Sequence, residues 1–441
     1  MTQRTKNNGV LFPVLVLFAI NILNFYDRLV PGALVEPIRK EFHLSDTQNG
    51  LLGSIFIWPY AVMGVLMGRL ADSGSRKKLL AWGLAVWASL TASAAMAANY
   101  SVLLFSRLGV GLGEATCAPA ATSWLGDLYP AAKRSRALAL FMLGVPIGSA
   151  MAAFFSGVIA QAHGWRVAMA LAGAPSLLLV PALLTLVEPQ RGASETGIPP
   201  APRTSVGTLL CLPTLWWIIA SGVFLNFNLY AIATFLQAFF SRVHGLSLAS
   251  SNNAAGFVYL IGGLGGGLSA GYLGDAVVKR RKDGRMLCAA AAALIAVPLS
   301  GLAILSPTGS LFRTIVFFVL TYGALTTYYG FVYSAIQDIV APNQRGIAMA
   351  IYFMAMYLCG ASFGPVLTGR VSDFLAHRAA VLAGSTAVTE SFRAIGLQQA
   401  MLIIPIFSVV LASVLYMGSR TIISDMARRE TLALKLALSS D

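Results

Sequence analysis

Apolar residues run for about twenty positions at a time along this chain, between short polar breaks, and the rhythm repeats twelve times. A run of that length suits a helix crossing a bilayer. The runs lie at 10–35, 47–69, 78–98, 100–125, 135–161 and 165–187, then at 209–240, 252–274, 285–305, 311–338, 345–370 and 395–419. Backbone groups in lipid must bond within their own segment, so runs this long predict helices rather than barrel strands. Several contain proline, at Pro31, Pro59, Pro119, Pro146 and Pro365, which membrane helices tolerate better than soluble ones. The first run carries Asn21, Asn24 and Asp27 and lacks a small-residue cleavage site, so it reads as an uncleaved helix.

The longest polar stretch, 188–208, is rich in Pro, Gly, Ser and Thr and reads as a flexible linker between spans six and seven. The segments around it echo each other. Gly68-Arg-Leu-Ala-Asp72 and Gly271-Tyr-Leu-Gly-Asp275 each follow a second span and lead into a basic loop. Asp127 precedes Arg134 by seven residues, as Asp338 precedes Arg345. Gly144-Val-Pro146-Ile-Gly148 in span five has a counterpart in Gly364-Pro365 of span eleven. Three echoes in register imply a duplicated six-helix unit. The expected protein is an all-α membrane protein of two pseudo-symmetric six-helix bundles, 1–187 and 209–420. The cytoplasmic linker 188–208 joins them, and a tail, 421–441, has no clear apolar period.

Composition agrees: 57% of residues are hydrophobic, 11% are charged, and mean hydropathy is +0.74. Soluble domains carry about a quarter charged residues, so a soluble enzyme is excluded, and disorder with it. The net charge of +14 would suggest nucleic acid, but its distribution says otherwise. With both termini in the cytoplasm, inner segments hold 21 Lys and Arg and outer loops hold eight. That split follows the positive-inside rule and removes nucleic acid as a partner. Compact loops and short tails suggest a bacterial inner membrane. Four cysteines lie singly, and the four histidines fall in outer loops. No disulfide framework, metal site or catalytic cluster is therefore expected, and no cofactor. The chain is expected to work as a monomer.

Two of the 31 basic residues, Arg28 and Arg107, fall inside spans, as do Asp27 and Glu114. Charge at that depth costs several kcal/mol by the gentlest scale. On a helix Asn21, Asn24 and Arg28 share one face, flanked by Asp27. Arg107 and Glu114, seven apart, share a face of span four. Asp27 lies roughly 12 Å from the outer end of its span and Arg107 roughly 10 Å from the outer end of its own, so the two can meet at one level. Either the four face a cavity or they form a fixed lock between helices. Span seven adds Phe224, Asn226, Phe227, Asn228 and Tyr230; span ten adds Tyr322, Thr326, Thr327, Tyr328, Tyr329 and Tyr333. Such aromatic walls suit an amphipathic ligand, and equally suit packing. The glycines of 262–267 follow no strand and read as helix packing.

Two local motifs connect these residues to a known family. Gly68-Arg-Leu-Ala-Asp72-Ser-Gly-Ser-Arg76-Lys77-Lys78 resembles the loop 2–3 signature of the major facilitator superfamily, with Ser73 and Ser75 in place of its Arg and Gly. Asp72 can pair with Arg76 or cap the next helix. Asn24-Phe25-Tyr26-Asp27-Arg28 and Arg107-Leu-Gly-Val-Gly111-Leu-Gly113-Glu114-Ala115 are similar to runs of its Spinster family of lipid transporters. The resemblance implies the major facilitator fold and no enzyme activity. It implies a conformational gate at Asp72, Arg76, Asp127 and Arg134, and lysophospholipids or sphingoid-base phosphates as substrates.

The expected function is alternating-access, proton-coupled transport of an amphipathic anion. Asp27 and Glu114 would couple protons. Arg28, Arg107, Asn24, Phe224, Asn228, Thr326 and Tyr329 would hold substrate. A carrier of small organic anions or sugar acids is the alternative, followed by a lipid scramblase.

Overall fold

The computed structural model of the chain describes residues 3–129, 137–138, 140–191, 206–340 and 344–438, which form helices joined by short turns, with no strand among the described residues. The first half supplies α1 (Gln3–Ala33), α2 (Val35–Phe42), α3 (Asp46–Ser54), α4 (Ile57–Ser73), α5 (Arg76–Ser93), α6 (Tyr100–Glu114), α7 (Cys117–Leu128), α8 (Gly144–His163) and α9 (Trp165–Thr185). The second half supplies α10 (Pro213–His244), α11 (Leu248–Phe257), α12 (Gly263–Val278), α13 (Gly284–Ile304), α14 (Leu311–Ile339), α15 (Arg345–Ala355), α16 (Phe363–Leu382), α17 (Glu390–Ala400) and α18 (Ile403–Leu438).

Among the described residues, 11 helical segments are long and apolar enough to cross a membrane, and each overlaps one expected run. The remaining run, 100–125, is present as two consecutive helices, α6 and α7, interrupted at Ala115 and Thr116. Proline explains that break and several others. Its ring nitrogen carries no hydrogen, so the carbonyl four residues earlier loses its helical partner. Pro59, Pro119, Pro146, Pro365 and Pro405 each lie three or four residues beyond a helix interruption. The spans are jointed rods.

Contacts group the chain into two compact units. One comprises Met1–Pro199, Ile232–Leu260 and Pro365–Leu397; the other comprises Pro200–Ala231, Ile261–Gly364 and Gln398–Asp441. In the first, α1 packs along α8 and α5 along α9, over a core that includes Leu17, Ile20, Trp87 and Trp124. Two glycines permit backbone-to-backbone approach. A Cβ at Gly148 would lie 2.2 Å from the Ile22 carbonyl oxygen, and one at Gly111 would lie 2.1 Å from that of Phe56. In the second unit α14 packs on α12 and α13, and α13 on α18. The Gly-rich run 262–267 faces α14 there, with Gly266 against the Gly323 carbonyl. The tail has a simple form as far as it is described. It continues α18 unbroken to Leu438.

Adding a methyl group at Gly148 should lower the melting midpoint of the detergent-solubilised protein, at an overpacking cost of about 1–3 kcal/mol. Gly64, with nothing within 4 Å of its Cβ position, is the control: Gly64→Ala should leave the midpoint unchanged or raise it slightly. Equal melting curves for Gly148→Ala and the parent would refute this account of the α1–α8 contact.

Candidate functional site

The four charges expected inside first-half spans meet between α1 and α6. Arg107 donates from Nη1 to Asp27 Oδ1 at 3.1 Å and from Nη2 to the Asp27 main-chain oxygen at 3.3 Å. That carbonyl lacks its helical donor because Pro31 stands four residues on. The Thr91 hydroxyl of α5 lies 2.7 Å from both Asp27 carboxylate oxygens. One position along α1, Arg28 donates from Nε to Glu114 Oε2 at 2.8 Å. Its guanidinium also lies over the rings of Tyr60, at 4.3 Å, and Phe25, at 4.9 Å. Asp27, Arg28, Arg107 and Glu114 are all buried, yet each carboxylate has a cation against it. The arrangement also keeps hydrogen-bonding capacity in reserve. Asn24 Nδ2, Arg107 Nε and Glu114 Oε1 are buried with no hydrogen-bond partner among the described residues, a costly state for polar atoms.

A second charged node lies where α5 begins. Arg76, with its side chain 1% exposed, pairs with Asp127 of α7 and, at 3.0 Å, with Glu188 beyond α9. It also donates to the Ser123 carbonyl at 3.2 Å and the Pro189 carbonyl at 2.7 Å. Ser75 caps α5 by accepting from the Lys78 N–H, and its hydroxyl donates to Glu188 at 2.7 Å. Burial alone would push the Glu188 carboxyl up. Bonds from Ser75, the Arg76 guanidinium and the N–H groups of Arg76 and Lys77 outweigh it and hold the pKa down at about 2. In the other unit Arg285, near the start of α13, pairs with Asp338 at the end of α14. The sequence echo is thus also an echo of ion pairs.

The far end of the first unit, where α1 stops, holds a third network. Arg242 of α10 forks onto Asp46 of α3, with both nitrogens at 2.8 Å, and bonds Glu36 of α2 at 2.7 Å. Arg39 bonds Glu36 at 3.1 Å and Glu390 of α17 at 2.7 Å. Asp373 of α16 accepts from the N–H groups of Asp46 and Thr47, both at 2.9 Å, and so caps α3 from outside. Gly369 lets α16 come this close, since a Cβ there would meet the Asp46 carbonyl at 2.1 Å.

The second unit is aromatic where the first is charged. Tyr329 donates to Asn226 at 3.1 Å, Ser221 and Tyr328 are 2.7 Å apart, and Tyr352 bonds Tyr328 at 3.3 Å.

A family profile described as Major Facilitator Superfamily matches residues 17–365. The chain belongs to that superfamily. It is 32% identical over 367 residues to an MFS-type efflux pump of Mycolicibacterium smegmatis, covering 82% of this chain and 84% of that one. It is 28% identical to Protein spinster homolog 1 of Mus musculus, covering 95% and 82%. Among solved structures it is similar to a bacterial homolog of the human lysosomal transporter Spinster in an inward-facing and occupied conformation. That match has a TM-score of 0.83 and 27% identity, and covers 93% of this chain and 97% of that one. This is a major facilitator transporter that resembles Spinster, in a family of transporters rather than enzymes.

The remaining expected site residues have the following surroundings. Asp72 is exposed and neither pairs with Arg76 nor caps α5 among the described residues; Asp127, Glu188 and Ser75 take those parts. Arg134 lies outside the described residues. Asn24 lies beside the α1 pairs with its amide unbonded. Asn228 is turned toward α18, donating to the Ile404 carbonyl at 3.3 Å and to Ser408 at 3.1 Å. Thr326 bonds its own helix at the Tyr322 carbonyl, 2.9 Å away, against the α12 glycines. Phe224 stacks edge-on with Phe407 at 5.4 Å. Glu188, Thr91 and the Arg242 network were not anticipated; the acids Glu36, Glu41 and Asp46 crowded after span one were the available signal.

The lowered Glu188 pKa makes a signed prediction. Its stabilisation is fully present above the ordinary value of 4.5 and is lost as pH falls toward about 2. The melting-midpoint gap between the parent and Glu188→Gln should therefore be constant above pH 6 and shrink steadily below pH 4.5. A gap that stays constant from pH 6 to 3.5 would show that the carboxylate charge is not what holds this node.

Proposed function

We propose that the chain is a secondary active transporter that works by alternating access and couples movement of an amphipathic anion to protons. The observation that carries this reading is the double acid–base pair Asp27–Arg107 and Arg28–Glu114, buried on facing helices. Arginine suits phosphate and carboxylate, because its planar fork matches their oxygens. An anionic headgroup that draws Arg107 or Arg28 to itself strips a buried carboxylate of its cation. An unpaired buried carboxylate is costly, and protonation relieves the cost. Substrate and proton occupancy are then linked through Asp27 first and Glu114 second, with no catalytic residue. Asn24, with its free amide, supplies a neutral donor beside the arginines.

The resemblance to Spinster supports a lysophospholipid or sphingoid-base phosphate as the substrate class. Phe224 and Tyr329 offer aromatic surface to its chain, while the contacts of Asn228 and Thr326 give those two a packing role. In this reading both termini are cytoplasmic, 1–187 and 209–420 are the two moving bundles, and 188–208 joins them. The Arg76–Asp127 node serves as a gate on the cytoplasmic side and the Arg242 network as its counterpart on the outer side. The protein works as a monomer in a bacterial inner membrane.

In proteoliposomes, Asp27→Asn should abolish the dependence of uptake on a pH gradient, and Glu114→Gln should reduce it. Gradient-driven uptake that survives unchanged in Asp27→Asn rules the coupling out. Competition separates substrate classes: lysophospholipids should displace a bound fluorescent lysolipid, and sugar acids should not. The reverse order would favour a small-anion carrier.

A further inference from the structure

The far end of the first unit carries a cleft beside the Arg242 network, to which the transport reading assigns a gate but no ligand. It lies between α2 and α17, has a volume of about 250 Å³, and is lined by Arg39, Lys40, His43, Glu390 and Arg393. Three permanent cations face one carboxylate. A second cleft of about 270 Å³ shares Lys40 and Glu390 and reaches Arg242. Lys40 and His43 form no hydrogen bond or ion pair among the described residues. The Arg39 side chain is 5% exposed and its Glu390 partner 61% exposed. A solvated carboxylate on a loop-borne helix start is thus docked onto a buried guanidinium, the arrangement of a replaceable internal ligand.

We infer that this cleft is a binding site for a phosphate group, free or on a lipid headgroup, distinct from the charge pairs on α1 and α6. A phosphate offers several oxygens to fork-shaped guanidinium donors and a point charge to the lysine. It would take Arg39 from Glu390, with Lys40 and Arg393 supplying the remaining charge. Arg39 also bonds Glu36, and Glu36 bonds Arg242. Occupancy of the cleft therefore acts on the network that ties α2 and α3 to α10, so the site regulates that network rather than carrying cargo.

Native mass spectrometry of the full chain in neutral detergent tests this with inorganic phosphate, phosphatidic acid and phosphatidylcholine as probes. Phosphate or phosphatidic acid should bind and phosphatidylcholine should not; which of the first two binds identifies the source. Lys40→Gln, at an exposed position, should weaken binding about tenfold. Glu390→Gln should strengthen it severalfold by removing the competing carboxylate. Lys279→Gln, an exposed cation outside this cleft and outside the transport pairs, should leave it unchanged, and because Lys40 and Glu390 touch neither transport pair their effects report this site whether or not the protein moves protons. The inference is overturned if neither phosphate probe binds, if Lys40→Gln or Glu390→Gln has no effect, or if Lys279→Gln weakens binding as much as Lys40→Gln does.

Discussion

A charge buried among apolar helices costs several kcal/mol unless an opposite charge meets it, and this constraint organises the protein. Asp27, Arg28, Arg107 and Glu114 are affordable only as two pairs, which fixes α1 against α6. In the proposed cycle an incoming anion competes with these carboxylates for their arginines, and a competition in low dielectric is felt strongly.

Backbone chemistry prepares the site as much as side-chain chemistry does. Pro31 withdraws a donor from the Asp27 carbonyl, which Arg107 uses as a second acceptor. One arginine thus grips both the carboxylate and the main chain of the same residue. Pro119 breaks span four just past Glu114, so the acid sits at the last turn of α6. Glycine does the complementary work at Gly111, where α6 comes close enough to Phe56 for Arg107 to lie 5.5 Å from its ring. Prolines set where the helices bend and glycines how near they come.

What was legible in the sequence follows the same physics. Span length and apolarity are local properties, so the apolar runs were readable directly. Counting rise per residue placed Asp27 and Arg107 at one level, because a helix converts residue number into depth. Partners across long sequence separations were not readable. Glu188 is 112 residues from Arg76, and beyond a span it looks like an ordinary linker acid. Arg242 is counted as an outer-loop charge by the positive-inside rule, yet its side chain is 3% exposed and its partners lie in the first half. The orientations of Asn228 and Thr326 were hidden because residue type says what a side chain can bond, not which neighbour it meets.

The three charged networks differ in what repeats. Arg76–Asp127 has its echo in Arg285–Asp338, as duplication of a six-helix unit would leave it. The additions around the two pairs are not equivalent: Glu188 brings a carboxylate to the first, while Arg429 of α18 brings a guanidinium to the Asp338 carbonyl at 2.8 Å. Both nodes also set a guanidinium against main-chain carbonyls, those of Ser123 and Pro189 in the first and that of Asp338 in the second, so the added carboxylate of Glu188 is what distinguishes the first. Acid, which removes that charge, therefore acts on the first node through a group the second lacks among the described residues. The Arg242 network has no such echo among the described pairs and draws its members from both halves of the sequence. Ancestral symmetry did not supply it. It joins segments far apart in sequence, and the acids Glu36 and Asp46 both meet Arg242 there.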